Sequence, residues 1–410
     1  MSKNLFVGVD GKARKAKEFY VGVDGKARRI VKAYIGDENG KARPFWEKET
    51  TPVADSLEFV SDNSFTMSAT KLWDGTLSYN NGNGNGWTIW DGSEISSNAI
   101  GGRQRIYFRG SRNDRLTPES ITNSWKITGS NVECNGNIEC LLDYQKVAAG
   151  KHPAMRIKCY KYMFANCSAL ITAPQLPNAS TEEECYYGMF MNCSSLTTAP
   201  ALPADTVGYG AYNSMFYGCS SLTTTPQLPA TTLAEGCYMY MFCGCSKFTT
   251  APELPATTLT QDCYSYMFNG CSSFTTAPQL PATTLVKGCY RNMFNYMTEL
   301  VIPPVLPATT LAESCYEGMF AQCYIINPLA LPATVLANNC YKDMFRNTWI
   351  ELSSTQSEEY PTAYRVPITG EGTDATDALS NMFTANGDLF TGTPTINTTY
   401  YLHKDYSIIS

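Results

Sequence analysis

The stretch "CYSYMFNGCSSFTTAPQLPATTL", Cys263 to Leu285, decides how the rest of the chain is read. It opens with two cysteines eight residues apart and closes on a run that nearly spells a cell-wall sorting signal. A metal or disulfide site would be one meaning and a covalent anchor another. The choice turns on how often the stretch recurs. Its Met-Phe pair stands at Met163, Met189, Met215, Met241, Met267, Met293 and Met319, each 26 residues after the last. Another follows at Met344 and a degenerate one at Met382. A fixed interval of this size marks an array of units, because one unit cannot bury its apolar face alone.

Within a unit the spacing predicts a short helix. Counting from Cys237 at about 100° per residue, Tyr238, Met241, Phe242 and Cys245 fall in one arc of about 140°. Met239, Tyr240, Cys243 and Gly244 fall outside it, and these positions vary between repeats. C-Y-x-x-M-F-x-x-C is therefore expected to form two amphipathic turns docked on a core. The following S-S-L-T-T-A-P-x-L-P carries prolines that stop a helix and suits one extended strand per unit of a parallel sheet. A-T-T-L is then expected to turn the chain back.

The repeats also judge the cysteines. Ala211 replaces the first of a pair while Cys219 stays, and Met297 replaces the second while Cys289 stays. Bonded partners would not be lost singly, whereas Ala and Met fit a buried apolar slot. Helical residues eight apart lie about 12 Å from each other along the axis, beyond disulfide reach. Bonds between neighbouring repeats, or between Cys134 and Cys140, stay open. With two histidines, His152 and His403, and no CxxC, a metal set is not expected. The sorting-signal reading fails because Thr284 stands where Gly is needed, the phrase recurs, and no apolar span or basic tail follows.

At "GCSSLTTTPQLPATTLAEGCYMYMF" (Gly218 to Phe242) and its copies the sequence resembles the BspA-like leucine-rich-repeat proteins of gut bacteria and their phages. The 26-residue interval fits that class and excludes repeats of about 33 residues or more. The resemblance covers about residues 156–350. It implies an α/β repeat solenoid, a short parallel strand plus a short helix per 26-residue coil, with a surface interaction role and no catalytic residues. "YRVPITGEGTDATDALSNMFTANGDLFTGTPTINTTYYLH" resembles the terminal cap of such proteins, placed at 351–410. "LWDGTLSYNNGNGNGWTIWDGS…RIYFRG…GNIECLL" resembles the β-rich unit that precedes their arrays, here 51–155 and expected as a small β-sandwich. Within it, "RQRIYFRGSR" (Arg103 to Arg112) reads as a surface strand or as a patch for an anionic glycan or partner.

Residues 1–48 hold another repeat, "FVGVDGKARKAKEF", "YVGVDGKARRIVKA" and "YIGDENGKARPFW", with Gly8, Gly22 and Gly36 recurring every 14 residues. Each unit reads as strand, Asp-Gly or Asn-Gly turn, strand. Lone hairpins are marginal in water, so these are expected to pack on one another or on a partner. They resemble N-terminal segments of tail-associated proteins from phages and prophages of Gram-positive bacteria. Residues 1–48 contain 12 Lys+Arg and 6 Asp+Glu, leaving 19 and 31 for the remainder. Arg14, Arg28, Arg43 and Trp46 are the candidates for attachment to an acidic partner; nucleic acid is not expected, since aromatics are sparse among the basic residues.

No GxSxG, P-loop, GxGxxG after a strand, or HExxH occurs, so the expectation is no enzyme and no cofactor. His152 and His403 read as surface or cap residues, and Glu182, Glu183 and Glu184 as carboxylates at a helix start. The opening "MSKNLFVGVDGKARK" lacks an apolar signal core, and no run suits membrane insertion. A surface-class array without an export signal points to a virion protein assembled in the host cytoplasm; the alternative is a bacterial surface adhesin lacking its leader. The expected function is a phage or prophage tail-associated adhesin, bound to tail or baseplate proteins through residues 1–48 and to host-surface glycan or protein through the array. A structural decoration or spacer is the other reading. Candidate contacts are the Thr197, Thr223, Thr249 and Thr275 column, the variable Gln227, Glu253 and Gln279 beside it (with Gln175, Ala201 and Val305), and the outward Tyr240, Tyr266 and Arg291.

Overall fold

The computed structural model describes residues 56–408 except 118–119, 325–327, 367–374, 387–388 and 397, together with six strands before them. Those strands form three antiparallel hairpins: Phe6–Val9 with Lys12–Lys15, Phe19–Val23 with Lys26–Ile30, and Lys32–Gly36 with Ala42–Glu47. In sequence, Asp10-Gly11 and Asp24-Gly25 fall between the strands of the first two hairpins, and Asn39-Gly40 falls within the five residues between those of the third. Arg14, Arg28 and Arg43 stand opposite Val7, Val21 and Ile35 in the three registers, and Trp46 opposite Ala33. The side chains of these attachment candidates lie outside the described residues.

The chain is mostly sheet, with mixed sheets, no closed barrel, and one α-helix among the described residues, Cys140–Ala148. The largest sheet runs in the order Thr88–Ile89, Thr76–Asn80, Arg103–Ser111, Leu57–Ser61, Val132–Asn135, Leu170–Thr172. A three-stranded sheet, Ile95–Ser96, Thr66–Ser68 and Lys126–Thr128, accompanies it. Trp90 is fully buried at the centre of an aromatic cluster, 5.3 Å from Trp73, 5.0 Å from Trp125 and 4.9 Å from Phe108 between ring centroids. Along Arg103–Ser111, Ile106, Phe108 and Gly110 turn inward and the arginines outward. Gly110 is required because a side chain there would run into the Leu141 carbonyl of the helix.

From Lys158 onward the expected helix is absent. Each C-Y-x-x-M-F-x-x-C segment is instead a run of overlapping turns in which odd and even residues bond differently. Met239, Met241, Cys243 and Cys245 donate their N–H groups three residues back, to Gly236, Tyr238, Tyr240 and Phe242. Tyr238, Tyr240, Phe242 and Gly244 donate forward into the next repeat, to the carbonyls of Cys263, Ser265, Met267 and Asn269 at 2.8–3.0 Å. The N–H groups of Tyr238 to Cys245 thus all have partners. Every fourth residue has positive φ: Gly236 (+59°), Tyr240 (+55°) and Gly244 (+75°). The recurrence of Gly, Asn and Asp at these places is the cause, since they enter the left-handed region at least cost. A four-residue period puts Cys237, Tyr238, Met241, Phe242 and Cys245 inside, the same set a helix would bury.

Inside, identical side chains sit on one another. Phe164, Phe190, Phe216, Phe242, Phe268, Phe294, Phe320 and Phe345 stack at 5.6–6.0 Å. Tyr160 to Tyr341 form a second row at 5.6–6.0 Å. No disulfide joins the sixteen cysteines, all buried except the half-buried Cys243. Cys193, Cys219, Cys245, Cys271 and Cys323 donate S–H to the Phe carbonyl of the preceding repeat at 2.8–3.1 Å. The carbonyls of Phe164, Phe190, Phe216 and Phe242 already accept a local N–H, so there sulfur uses the second lone pair.

The extended parts are thinner than expected. After Leu170–Thr172 the T-T-A-P segments meet through isolated parallel bridges, Thr172↔Thr198, Thr198↔Thr224 and Thr276↔Ile302. Proline supplies no N–H to lengthen them. A-T-T-L, expected as a turn, also pairs in parallel, at Ser180↔Thr206, Thr206–Val207 with Thr232–Leu233, and Thr310↔Val335.

Both ends of the stack are closed. Leu116 N–H, Thr117 Oγ1 and Trp125 N–H occupy the carbonyls of Cys159, Lys161 and Met163 in the first repeat. At the far end, Asn381, Phe383 and Ala385 donate to Thr393 Oγ1, the Gly392 carbonyl and Thr391 Oγ1. Open edges would invite pairing with other chains.

Candidate functional site

Outward residues of the turn wall come together in rows, because equivalent positions are held one repeat apart by the N–H bonds just described. Tyr240 and Tyr266 stack with centroids 4.5 Å apart and planes 18° apart. Arg291 lies over Tyr266 at 5.8 Å and pairs with Asp262 at 3.1 Å. The three outward candidates therefore form one continuous surface. Burial, with Tyr266 as a second cause, pushes the Tyr240 phenol up to about 12. Tyr240 and Tyr266 have φ of +55° and +57°, where Gly188, Asn292 and Gly318 stand in other repeats. A bulky residue in that region costs about 1–2 kcal/mol relative to ordinary backbone.

Alongside runs a groove of about 230 Å³ lined by Glu184, Tyr187, Tyr209, Asn213, Glu235 and Met239. Its carboxylates already have partners. Glu184 pairs with Lys161 at 2.8 Å, Glu235 accepts from Gln261 at 3.3 Å, and Asp262, also in the lining, holds Arg291. The expected role of Glu184 at a helix start is corrected: no helix begins there, and its charge is used between repeats.

The Thr197, Thr223, Thr249 and Thr275 column is exposed. Thr197 Oγ1 donates to the Ile171 carbonyl at 3.1 Å and Thr223 Oγ1 to the Thr197 carbonyl at 3.3 Å, so two hydroxyls serve the stack itself. Gln227, Glu253 and Gln279 are exposed on the proline-flanked segment. A groove of about 360 Å³ opens beside Pro174, Gln175, Pro177, Pro200 and Ala201.

In the front segment the arginines of Arg103–Ser111 are engaged by neighbours. Arg103 meets Asp62 at 2.7 Å and Glu133 at 2.9 Å, Arg105 meets Glu58 at 2.9 Å, and Arg109 lies between Trp87 and Tyr144 at 4.1 and 4.3 Å. They leave little unpaired charge for an anion. His152 bonds the buried Glu139 at 2.9 Å, and His403 sits in the terminal segment 3.5 Å from Glu359.

Reading the sequence alone misses the groove, because its lining is assembled from three repeats, Tyr187, Asn213 and Met239 at one position of the unit and Tyr209 at another. It also misses the exposed rings of Tyr296, Tyr324 and Trp349. Aligning the repeats against one another flags those three, since each stands where other repeats carry Gly or Ser. No helix among the described residues is long and apolar enough to cross a membrane. No family model, curated protein or solved structure matches the chain.

Proposed function

We propose that the stacked repeats form a solenoid of the leucine-rich-repeat kind, built with turns in place of helices, and that the chain is a phage or prophage tail-associated adhesin. Residues 1–48 attach it to the tail, residues 51–155 connect, and the turn wall meets a glycan or protein on the host surface. The observation that carries this reading is the pair Tyr240 and Tyr266. Both hold a strained backbone position that is Gly188, Ser214, Asn292, Gly318 or Asp343 in other repeats and a tyrosine again only at Tyr162, and both present a ring outward. Strain kept at a surface position is a pointer to use, although stacking returns about 0.5–1.5 kcal/mol per pair.

The test is adsorption. Purified chain should bind host cells and block phage attachment, and Tyr240→Gly with Tyr266→Gly should weaken binding at least tenfold. Failure of the unaltered chain to bind or block would remove the adhesin. The inward use of the Thr197 and Thr223 hydroxyls favours one other reading, a virion decoration or spacer without a receptor. Finding the chain in purified particles that adsorb equally well without it would establish that one.

A further inference from the structure

We infer that the corner of the sixth to eighth repeats is a carbohydrate subsite for an extended bacterial surface polysaccharide; this rests on the adhesin reading and names its ligand class. The repeats supply an internal alignment. The position just before the second buried sulfur is Gly218, Gly244 and Gly270 in three successive repeats, each at positive φ. In the next it is Tyr296, at φ +60° and 51% exposed, followed by Gln322 and Asn347 at +61° and +59°. The position just after that sulfur is Ser168, Ser194, Ser220, Ser246 and Ser272, then Thr298. In the seventh and eighth repeats it is Tyr324 and Trp349, 51% and 66% exposed.

These rings do nothing for the core. The residues between the two positions, Met297, Cys323 and Thr348, are fully buried in any case. Backbone bonds hold the corner in register: Tyr296 N–H to Ala321 O at 3.0 Å, Gln322 N–H to Arg346 O at 2.8 Å, and Asn347 N–H to Thr384 O at 2.9 Å. Tyr324 and Trp349 meet edge to face, centroids 6.0 Å apart and planes 63° apart, so the edge of one covers one face of the other while both rings stay more than half exposed.

Exposed aromatic side chains alternating with planar amides match a pyranose. The ring's C–H face covers the aromatic, and amide donors and acceptors take the hydroxyls. An apolar protein surface fits worse, because Gln322 and Asn347 would be buried without partners. Repeats joined by backbone bonds advance by about 4.8 Å, comparable to one sugar unit of a chain, so successive sugars can meet successive repeats.

The full chain and the variants Trp349→Ala, Tyr324→Ala and Ile89→Ala, the last an exposed side chain of the front segment, are applied to arrayed bacterial surface polysaccharides and chitin oligosaccharides, with Tm measured for each. Binding by the unaltered chain is expected, with at least tenfold loss in the two aromatic variants, little change in Ile89→Ala, and Tm kept throughout. A chain that adsorbs to cells but binds no arrayed glycan overturns the subsite and leaves the adhesin standing. Glycan binding that survives Trp349→Ala also overturns it. Glycan binding lost with Trp349 in a chain that fails to adsorb to cells upholds the subsite and removes the adhesin.

Discussion

The front segment and the stack of repeats bury their backbone by opposite rules. In the first, Arg103–Ser111 pairs with Leu57–Ser61 and Thr76–Asn80, strands separated by long stretches of chain, around a tryptophan cluster that occurs once. In the second, each segment bonds to itself and to the adjoining repeat, around rows of the same side chain. The first is a cooperative unit with one centre. The second is close to a sum of nearest-neighbour terms. Sulfur divides them too: of sixteen cysteines, only Cys134 and Cys140 precede the first repeat.

That division should show most in alkali. Burial pushes the thiols of Cys167, Cys219, Cys263, Cys289 and Cys323 up to about 12 and raises the buried Tyr row as well. Groups whose folded value is raised stabilise fully below their unfolded value and lose that contribution as pH rises toward the folded one. Each thiol removes about 1.4 kcal/mol per pH unit once pH exceeds about 8.5. Circular-dichroism melting is expected to show Tm falling steeply above about pH 9, with the stack lost before the tryptophan cluster. A flat Tm across that range would mean that the thiols and phenols are not buried.

Single large-to-small changes come next. Phe242→Ala and Trp90→Ala should each cost about 3–5 kcal/mol. Hydrogen exchange tells them apart: loss of protection should stay near the fourth repeat for Phe242 and spread through the sheet for Trp90. Equal spreading would end the nearest-neighbour description. Gly244→Ala should cost about 1–2 kcal/mol, because φ is +75° there, seen as a Tm a few degrees lower. Thr223→Val removes one exposed hydroxyl bond and should cost about 0.5 kcal/mol in denaturant unfolding, the low end for a hydrogen bond.

Much of this was readable beforehand. The interval, the inward positions and the three strand pairs of residues 6–47 follow from residue types at short range. The wall of turns did not, for a definite reason. Cys237, Tyr238, Met241, Phe242 and Cys245 fit a period of 3.6 or 4.0 equally well, since eight steps separate the two by about 80° within an arc of about 140°. What distinguishes them is polar and backbone-led: Gly236 and Gly244, or Asp262 and Gly270, four or eight apart, each at positive φ. Apolar patterning does not register those residues. The Tyr240, Tyr266 and Arg291 row was legible as a row, whereas its neighbouring groove needed three repeats placed side by side. The parallel pairing of Val132–Asn135 with Leu170–Thr172 joins residues as far apart in sequence as Val132 and Leu170 and leaves no local trace.

The forward donation of N–H groups also gives the stack a direction in time. A ribosome releases the amino-terminal part first. Leu116 and Trp125 are therefore made before the carbonyls they will meet, and so is every repeat before its successor. At each moment of synthesis the growing end shows a line of waiting donors, solvated by water until the following 26 residues supply the acceptors. Thr391, Gly392 and Thr393 end this sequence by bringing acceptors that belong to no further repeat. Growth by copying a repeat therefore needs no new rule of assembly, only that this last stretch stay last.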